Sequence, residues 1–160
     1  MMEIERKFLI DTIEFDLPLL AEAVVYQGYL STDPVVRIRS TQRHGKTTYD
    51  LCFKGEGTLV REEIQFEIDE EKFTALKGLL KAPMIRKDYR VYELPGGYRL
   101  ECSHVDKGEP EGFMYAEVEF ESVEQAKNFV PPAFLGKDVT EEGTFAMAAY
   151  WERKLSRKNG

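Results

Sequence analysis

Alternation with a period of two residues runs through most of this chain, and it restricts the fold more than any other feature. The opening stretch sets the pattern: Glu3, Glu5 and Lys7 interleave with Ile4, Arg6 and Phe8. In a strand, residues two apart share a face, so this stretch reads as a strand with two acids and a base on one side. The same periodicity predicts strands over 3–10, 24–31, 35–42, 47–54, 60–68, 87–94, 97–104 and 114–121. Turn chemistry separates them at Arg43-His44-Gly45-Lys46, Gly55-Glu56-Gly57 and Pro95-Gly96-Gly97, and Lys107–Gly112 reads as a longer loop.

Three segments follow helical rules instead. Residues 70–81 follow Asp69 as N-cap, with Glu70 and Glu71 in the first turn and an apolar stripe of Phe73, Leu76 and Leu80. Residues 123–130 follow a capping box that runs from Ser122 to Gln125 and stop at Pro131-Pro132. Residues 144–156 carry Phe145, Ala148, Ala149 and Trp151 and end in basic residues. Residues 11–23 are ambiguous, with a short helical turn expected on one side of Pro18. Eight strands in antiparallel hairpins with a few helices predict an α+β fold built on a closed or nearly closed barrel, and 160 residues suit one domain.

Splitting the strands by parity gives two unlike faces. One carries Ile4, Phe8, Ile38, Leu51, Phe53, Ile64, Phe66, Leu100, Val118 and Phe120, and is expected to be covered by helices and loops. The other carries Glu3, Glu5 and Lys7; Arg37 and Arg39; Asp50 and Lys54; Arg61, Glu63, Gln65 and Glu67; Lys87; Arg99 and Glu101; Glu117 and Glu119. Like charges two apart lie roughly 6.6 Å from each other. Their repulsion is about 0.6 kcal/mol in water and about 2.5 kcal/mol at an effective dielectric near 20. A solvated face tolerates that; an enclosed one needs counter-charges. If the sheet closes with this face inward, acids and bases neutralise one another across the bore. The acidic pairs then invite an oxygen-ligated divalent cation, Mg²⁺ or Mn²⁺, and the Arg and Lys side chains invite a phosphate chain.

The net charge of −7 argues against general binding to nucleic acid or anionic membranes. The sequence has no apolar run near 18 residues and no secretory signal, so a cytoplasmic location is expected. Cys52 and Cys102 read as free thiols, and with only His44 and His104 beside them no zinc-site spacing exists.

Beyond these derivations, the chain resembles the CYTH family, also called triphosphate tunnel metalloenzymes. The resemblance rests on Glu3-Ile-Glu5-Arg-Lys7, an ExExK signature, followed in order by Gln27-Gly28-Tyr29-Leu30, Arg37-Ile-Arg39, Leu51-Cys-Phe-Lys54, Arg61-Glu-Glu63, Glu117-Val-Glu119-Phe120, Pro131-Pro132 and Asp138-Val139-Thr140. It implies an eight-stranded antiparallel tunnel with flanking helices and hydrolysis of a triphosphate with Mg²⁺ or Mn²⁺, inorganic triphosphate first. It further implies that Glu3, Glu5, Glu63, Glu117 and Glu119 bind metal, and that Lys7, Arg37, Arg39, Lys54 and Arg61 grip phosphates. Lys87 would orient or deprotonate the attacking water, with Glu5 as the second catalytic group. The partner expected is a triphosphate or nucleotide small molecule, and the protein itself is expected as a monomer or homodimer.

The chain departs from the family pattern at Tyr89, where an Arg is usual, at Gln65 and Ser103, where acids are usual, and at Gly143-Thr-Phe-Ala-Met. These departures motivate an alternative, a non-catalytic sensor of triphosphate, nucleotide or polyphosphate. Class IV adenylate cyclase and thiamine triphosphatase rank lower, for want of a visible pocket for a base or a thiazole. His44 is expected to be exposed, His104 and Asp106 to lie in a surface loop, Cys52 to be a small filler, and Arg153 to Lys158 to form a solvated helix end.

Overall fold

The computed structural model describes residues 1–159. In chain order the elements are β1 (Met2–Leu9), β2 (Leu19–Thr32), β3 (Val35–Arg43), β4 (Lys46–Lys54), β5 (Val60–Ile68), α1 (Glu70–Lys77), β6 (Ile85–Glu93), β7 (Arg99–Val105), β8 (Phe113–Glu119), α2 (Val123–Asn128), a 3-10 turn at Gly143–Phe145, and α3 (Met147–Asn159). The eight strands form one closed antiparallel barrel in the order β1-β5-β4-β3-β2-β6-β7-β8, as the alternation predicts.

Closure depends on β1. Its first half pairs with β5, Glu3 opposite Arg61. Its second half pairs with β8, Glu5 opposite Glu119 and Lys7 opposite Glu117. The edge of β1 that β5 leaves free is taken by residues 136–140: Gly136 N–H donates to the Leu9 carbonyl at 2.8 Å, and Val139 N–H to the Lys7 carbonyl at 2.8 Å. The β3–β4 hairpin turns on His44 and Gly45, at φ 52° and 74°, which is the pair of positive φ values a two-residue I′ turn requires.

Three element boundaries differ from expectation. No helix forms in 11–23; β2 instead begins at Leu19, and its burial alternates from Leu20 through Val25, with Ala21, Ala23 and Val25 buried. The alanines suggest helix by propensity, but the period of two wins because β6 offers a partner along the whole length, Ala23 opposite Tyr89. α1 ends at Lys77, capped by Gly78, so Leu80 lies beyond it. Leu80 still packs inward: a Cβ on Gly28 would sit 2.5 Å from its Cδ1, which explains the glycine in the middle of β2. The C-terminal segment is broken at Ala146 into the 3-10 turn and α3.

Two apolar clusters hold the barrel. Phe8, Leu100, Ala116, Val118 and Phe120 pack outside β1, β7 and β8 beneath α2 and the 129–135 segment. Tyr29, Ile85, Val105 and Tyr115 meet Met147, Tyr150 and Trp151 of α3 at one end of the bore. The apolar face is not covered throughout, contrary to expectation. On β4 and β5, Phe53, Ile64 and Phe66 are 38%, 54% and 48% exposed. The two-turn α1 reaches only as far as Tyr49, whose ring lies 4.8 Å from that of Phe73.

Candidate active site

The charged parity faces inward, as the register dictates. Pairing sets Arg37 across from Tyr29 and Cys52, Arg39 across from Gln27 and Asp50, and Lys54 across from Glu63. Two cavities follow one another along the bore, about 230 and 300 Å³, sharing Glu5, Arg37, Lys54, Lys87 and Glu117 at their junction. The smaller adds Lys7, Arg61, Gln27, Tyr29 and Tyr115 and is capped by Met147 and Ala148 of α3. The larger adds Arg39 and four further acids, Glu3, Glu63, Glu101 and Glu119. The bore is thus rich in cations toward α3 and in carboxylates toward the opposite mouth.

The adjacent like charges are balanced by counter-charges. Asp50 accepts from Arg39 Nε at 2.9 Å and lies 3.7 Å from Arg37, whose NH2 group also donates to Gln65 at 3.2 Å. Lys54 Nζ sits 3.1 Å from Glu3 and 3.7 Å from Glu63. Arg61 donates from Nε to the Gly55 carbonyl at 3.1 Å. Lys7 reaches the C-terminal segment, donating to the Phe145 carbonyl at 2.6 Å, and stands 4.1 Å over the Tyr115 ring.

Burial and crowding of carboxylates set the acidic side. Burial raises Glu3 to about 7 against the pull of Lys54. Burial, with Glu117 beside it, pushes Glu5 well above the ordinary carboxylate range. Burial pushes Glu117 the same way, but Lys7, the Glu5 hydrogen bond and Lys87 outweigh it and hold Glu117 at about 2. The pair therefore titrates as one unit, with Glu5 pushed toward its protonated form and Glu117 toward its ionised one. Lys87 is the inverse case. Burial drives it well below the ordinary lysine range, and Arg37, Arg39 and Lys7 add to the effect. Among the described residues its Nζ makes no hydrogen bond or ion pair; it lies 5.3 Å over Tyr115.

Of the five carboxylates expected at a metal, Glu3, Glu5 and Glu119 bring one oxygen each within 4.8 Å of the others. Oxygen donors in that number suit a hard divalent cation, and a cation there would favour the ionised form of Glu5. Glu63 lies 3.7 Å from Lys54, and Glu117 is hydrogen-bonded to Glu5, with the charges of Lys7 and Lys87 acting on it. Glu67 and Arg99 are exposed, at the ends of their strands.

At the departures from the family pattern, the Tyr89 hydroxyl donates to Glu101 at 2.5 Å, and Ser103 is buried beside Tyr115 in the register. Cys52 is buried and fills space between Arg37 and Gln65. His44 is exposed in its turn. Two surface readings need correction: Asp106 is 3% exposed and Lys154 8%. They pair at 2.9 Å, with Tyr150 donating to the same carboxylate at 2.6 Å. The basic tail therefore contributes a buried anchor for α3. Sequence reasoning also passed over Gln27, Tyr29 and Tyr115. They share parity with Arg37, Arg39 and Glu117, and that shared parity was the available signal.

A closed barrel with carboxylates and cations facing each other inside it defines a tunnel-type phosphate-handling fold. The chain belongs to the CYTH domain family, which matches residues 1–135. It is 37% identical over 142 residues to an inorganic triphosphatase of Nitrosomonas europaea, covering 89% of this chain and 91% of that one. The crystal structure of an inorganic triphosphatase superposes with a TM-score of 0.65 at 31% identity, over 96% and 94% of the two chains. A Pyrococcus horikoshii protein shares the fold at 17% identity, with a TM-score of 0.57 over 97% and 89%.

Proposed function

We propose that this protein hydrolyses triphosphates in its bore with the help of a divalent cation, Mg²⁺ or Mn²⁺, and that inorganic triphosphate is its substrate. The observation that carries the reading is the junction of the two cavities, where Arg37, Lys54 and Lys87 meet Glu5 and Glu117. The activity of the Nitrosomonas europaea relative supports it.

Lys7, Arg37, Arg39, Lys54 and Arg61 bind the phosphate chain, the arginines as bidentate forks. Glu3, Glu5 and Glu119 hold the cation, with Glu63 and Glu117 completing the acidic lining. When bound, the cation neutralises phosphate charge and orients the chain for in-line attack. Lys87, whose charged form is disfavoured by burial, accepts a proton from water as the water oxygen bonds to the terminal phosphorus. The bridging P–O bond breaks, and orthophosphate and diphosphate leave. Tyr89 and Glu101 satisfy each other and take no proton from the reaction.

The 37% identity to the Nitrosomonas europaea inorganic triphosphatase favours inorganic triphosphate as the substrate. The test is phosphate release from inorganic triphosphate, thiamine triphosphate, ATP and long polyphosphate with Mg²⁺ or Mn²⁺. Release from inorganic triphosphate above the others is expected. Tight binding without release would instead make the protein a sensor of these anions.

A further inference from the structure

One buried polar group in the bore has no role in this scheme. Gln27 is fully buried on β2, faces inward, and sits across from Arg39 on one side and Ile85 on the other. Its Nε2 donates to the Tyr29 hydroxyl at 3.1 Å, and its Oε1 has no partner. Among the described residues the Tyr29 hydroxyl hydrogen also has no acceptor, although the ring is 7% exposed. The Nε of neighbouring Arg37 is likewise unpartnered. Buried polar groups are rarely left so, and these three line the same 230 Å³ cavity as Lys87 or stand at its wall.

An amide has an acceptor end and a donor end, exchanged by a half-turn of its last torsion. After that half-turn the Tyr29 hydroxyl donates to Gln27 Oε1, satisfying both, and Nε2 with its two hydrogens takes the unpartnered position that Oε1 leaves at the cavity wall. Phosphate oxygens are acceptors only, so the donor end is the one that complements a phosphate chain lying against Arg37. We propose that Gln27 is a further substrate-binding residue: its amide donates to a phosphate oxygen in the cavity beneath α3, and Tyr29 holds the amide from behind. The proposal rests on the phosphate-binding reading of the bore and adds a neutral donor to its cations. Such a donor fixes the phosphate without adding charge that would have to be balanced once the products leave.

The test is calorimetric titration of the intact protein with inorganic triphosphate, alongside turnover with Mg²⁺ and thermal melting without ligand. Gln27→Leu is expected to weaken triphosphate binding about tenfold or more, the worth of one hydrogen bond to a charged group, with an unligated melting temperature equal to or above that of the wild type. Gln27→Glu, of the same size, is expected to weaken it further, because a carboxylate repels the phosphate. Tyr29→Phe, which frees the amide to turn, is expected to produce a smaller loss. Unchanged affinity in Gln27→Leu and Gln27→Glu overturns the proposal, as does a lowered melting temperature with unchanged affinity, which would make the group structural. Triphosphate binding by the wild type without turnover would overturn hydrolysis and leave the Gln27 comparison to be read from affinity alone. Absence of wild-type binding would overturn both.

Discussion

At the scale of single residues, burial in the bore moves titratable groups away from their ordinary ranges, Glu5 upward and Lys87 downward. Burial lowers Lys87 well below the ordinary lysine range against the pull of Glu117, and Arg37, Arg39 and Lys7 lower it further. Lys87→Met should retain triphosphate binding while turnover falls by at least a hundredfold, within the range ascribed to a general base; steady-state kinetics against binding would show the split. Lys87→Arg, which cannot give up its proton, should fail equally. Burial, with Glu117 beside it, pushes Glu5 toward its neutral form, so Glu5→Gln keeps that neutral shape while removing a carboxylate from the proposed cation site. It should fold and melt like the wild type yet bind Mn²⁺ at least tenfold more weakly, as titration would show. Arg39→Ala should weaken triphosphate binding and also lower the melting point, because Asp50 would keep only the longer contact with Arg37. The sequence made these residues visible because charge and parity are written in it. It left Gln27, Tyr29 and Tyr115 without a role, although they share the parity of the charged residues, because their side chains look like those of ordinary strand residues.

At the scale of elements, the loop after β7 and the helix α3 are fastened together. Asp106 receives Lys154, Tyr150 and the Arg86 backbone N–H, the last at 2.9 Å. Burial pushes this carboxyl up, but those hydrogen bonds outweigh it and hold it below the ordinary value. A depressed folded value contributes stability above the unfolded pKa and loses it as pH falls through the folded one. Asp106→Asn should therefore cost about 3 kcal/mol at neutral pH, as when one partner of a buried ion pair is removed. The cost should shrink in strong acid, and denaturant melts across pH would measure both. None of this was legible beforehand: a basic run at a helix end looks solvated, and nothing local says that Lys154 meets a residue 48 positions earlier. The beginning of β2 was hidden for a different reason. Its alanines fit either a helix or a buried strand face, and only the partner strand β6 decides between them.

At the scale of the whole molecule, the barrel encloses more acid than its cations settle. Burial raises Glu101 to about 7, with Glu117 and Glu119 contributing. A carboxyl raised in the folded state binds its proton more tightly there than in the unfolded chain. Its contribution is complete below about 4.5 and disappears as pH climbs through about 7. The unligated protein should thus lose thermal stability between those values, and Glu101→Gln should flatten that decline. The barrel itself was readable in advance because hairpin turns and parity leave few ways to arrange eight antiparallel strands. The bare patch of Phe53, Ile64 and Phe66 was not, since its exposure depends on how far α1 extends.

The double pairing of β1 also orders events in time. The half of β1 that carries Glu5 and Lys7 is made before β8 and finds its neighbours only when β8 and the stretch around Val139 arrive. A ribosome-bound chain that stops short of β8 can hold hairpins but no closed barrel and no catalytic centre. Chemistry becomes possible at the moment the seam is sewn shut, so an incomplete nascent chain cannot squander triphosphate.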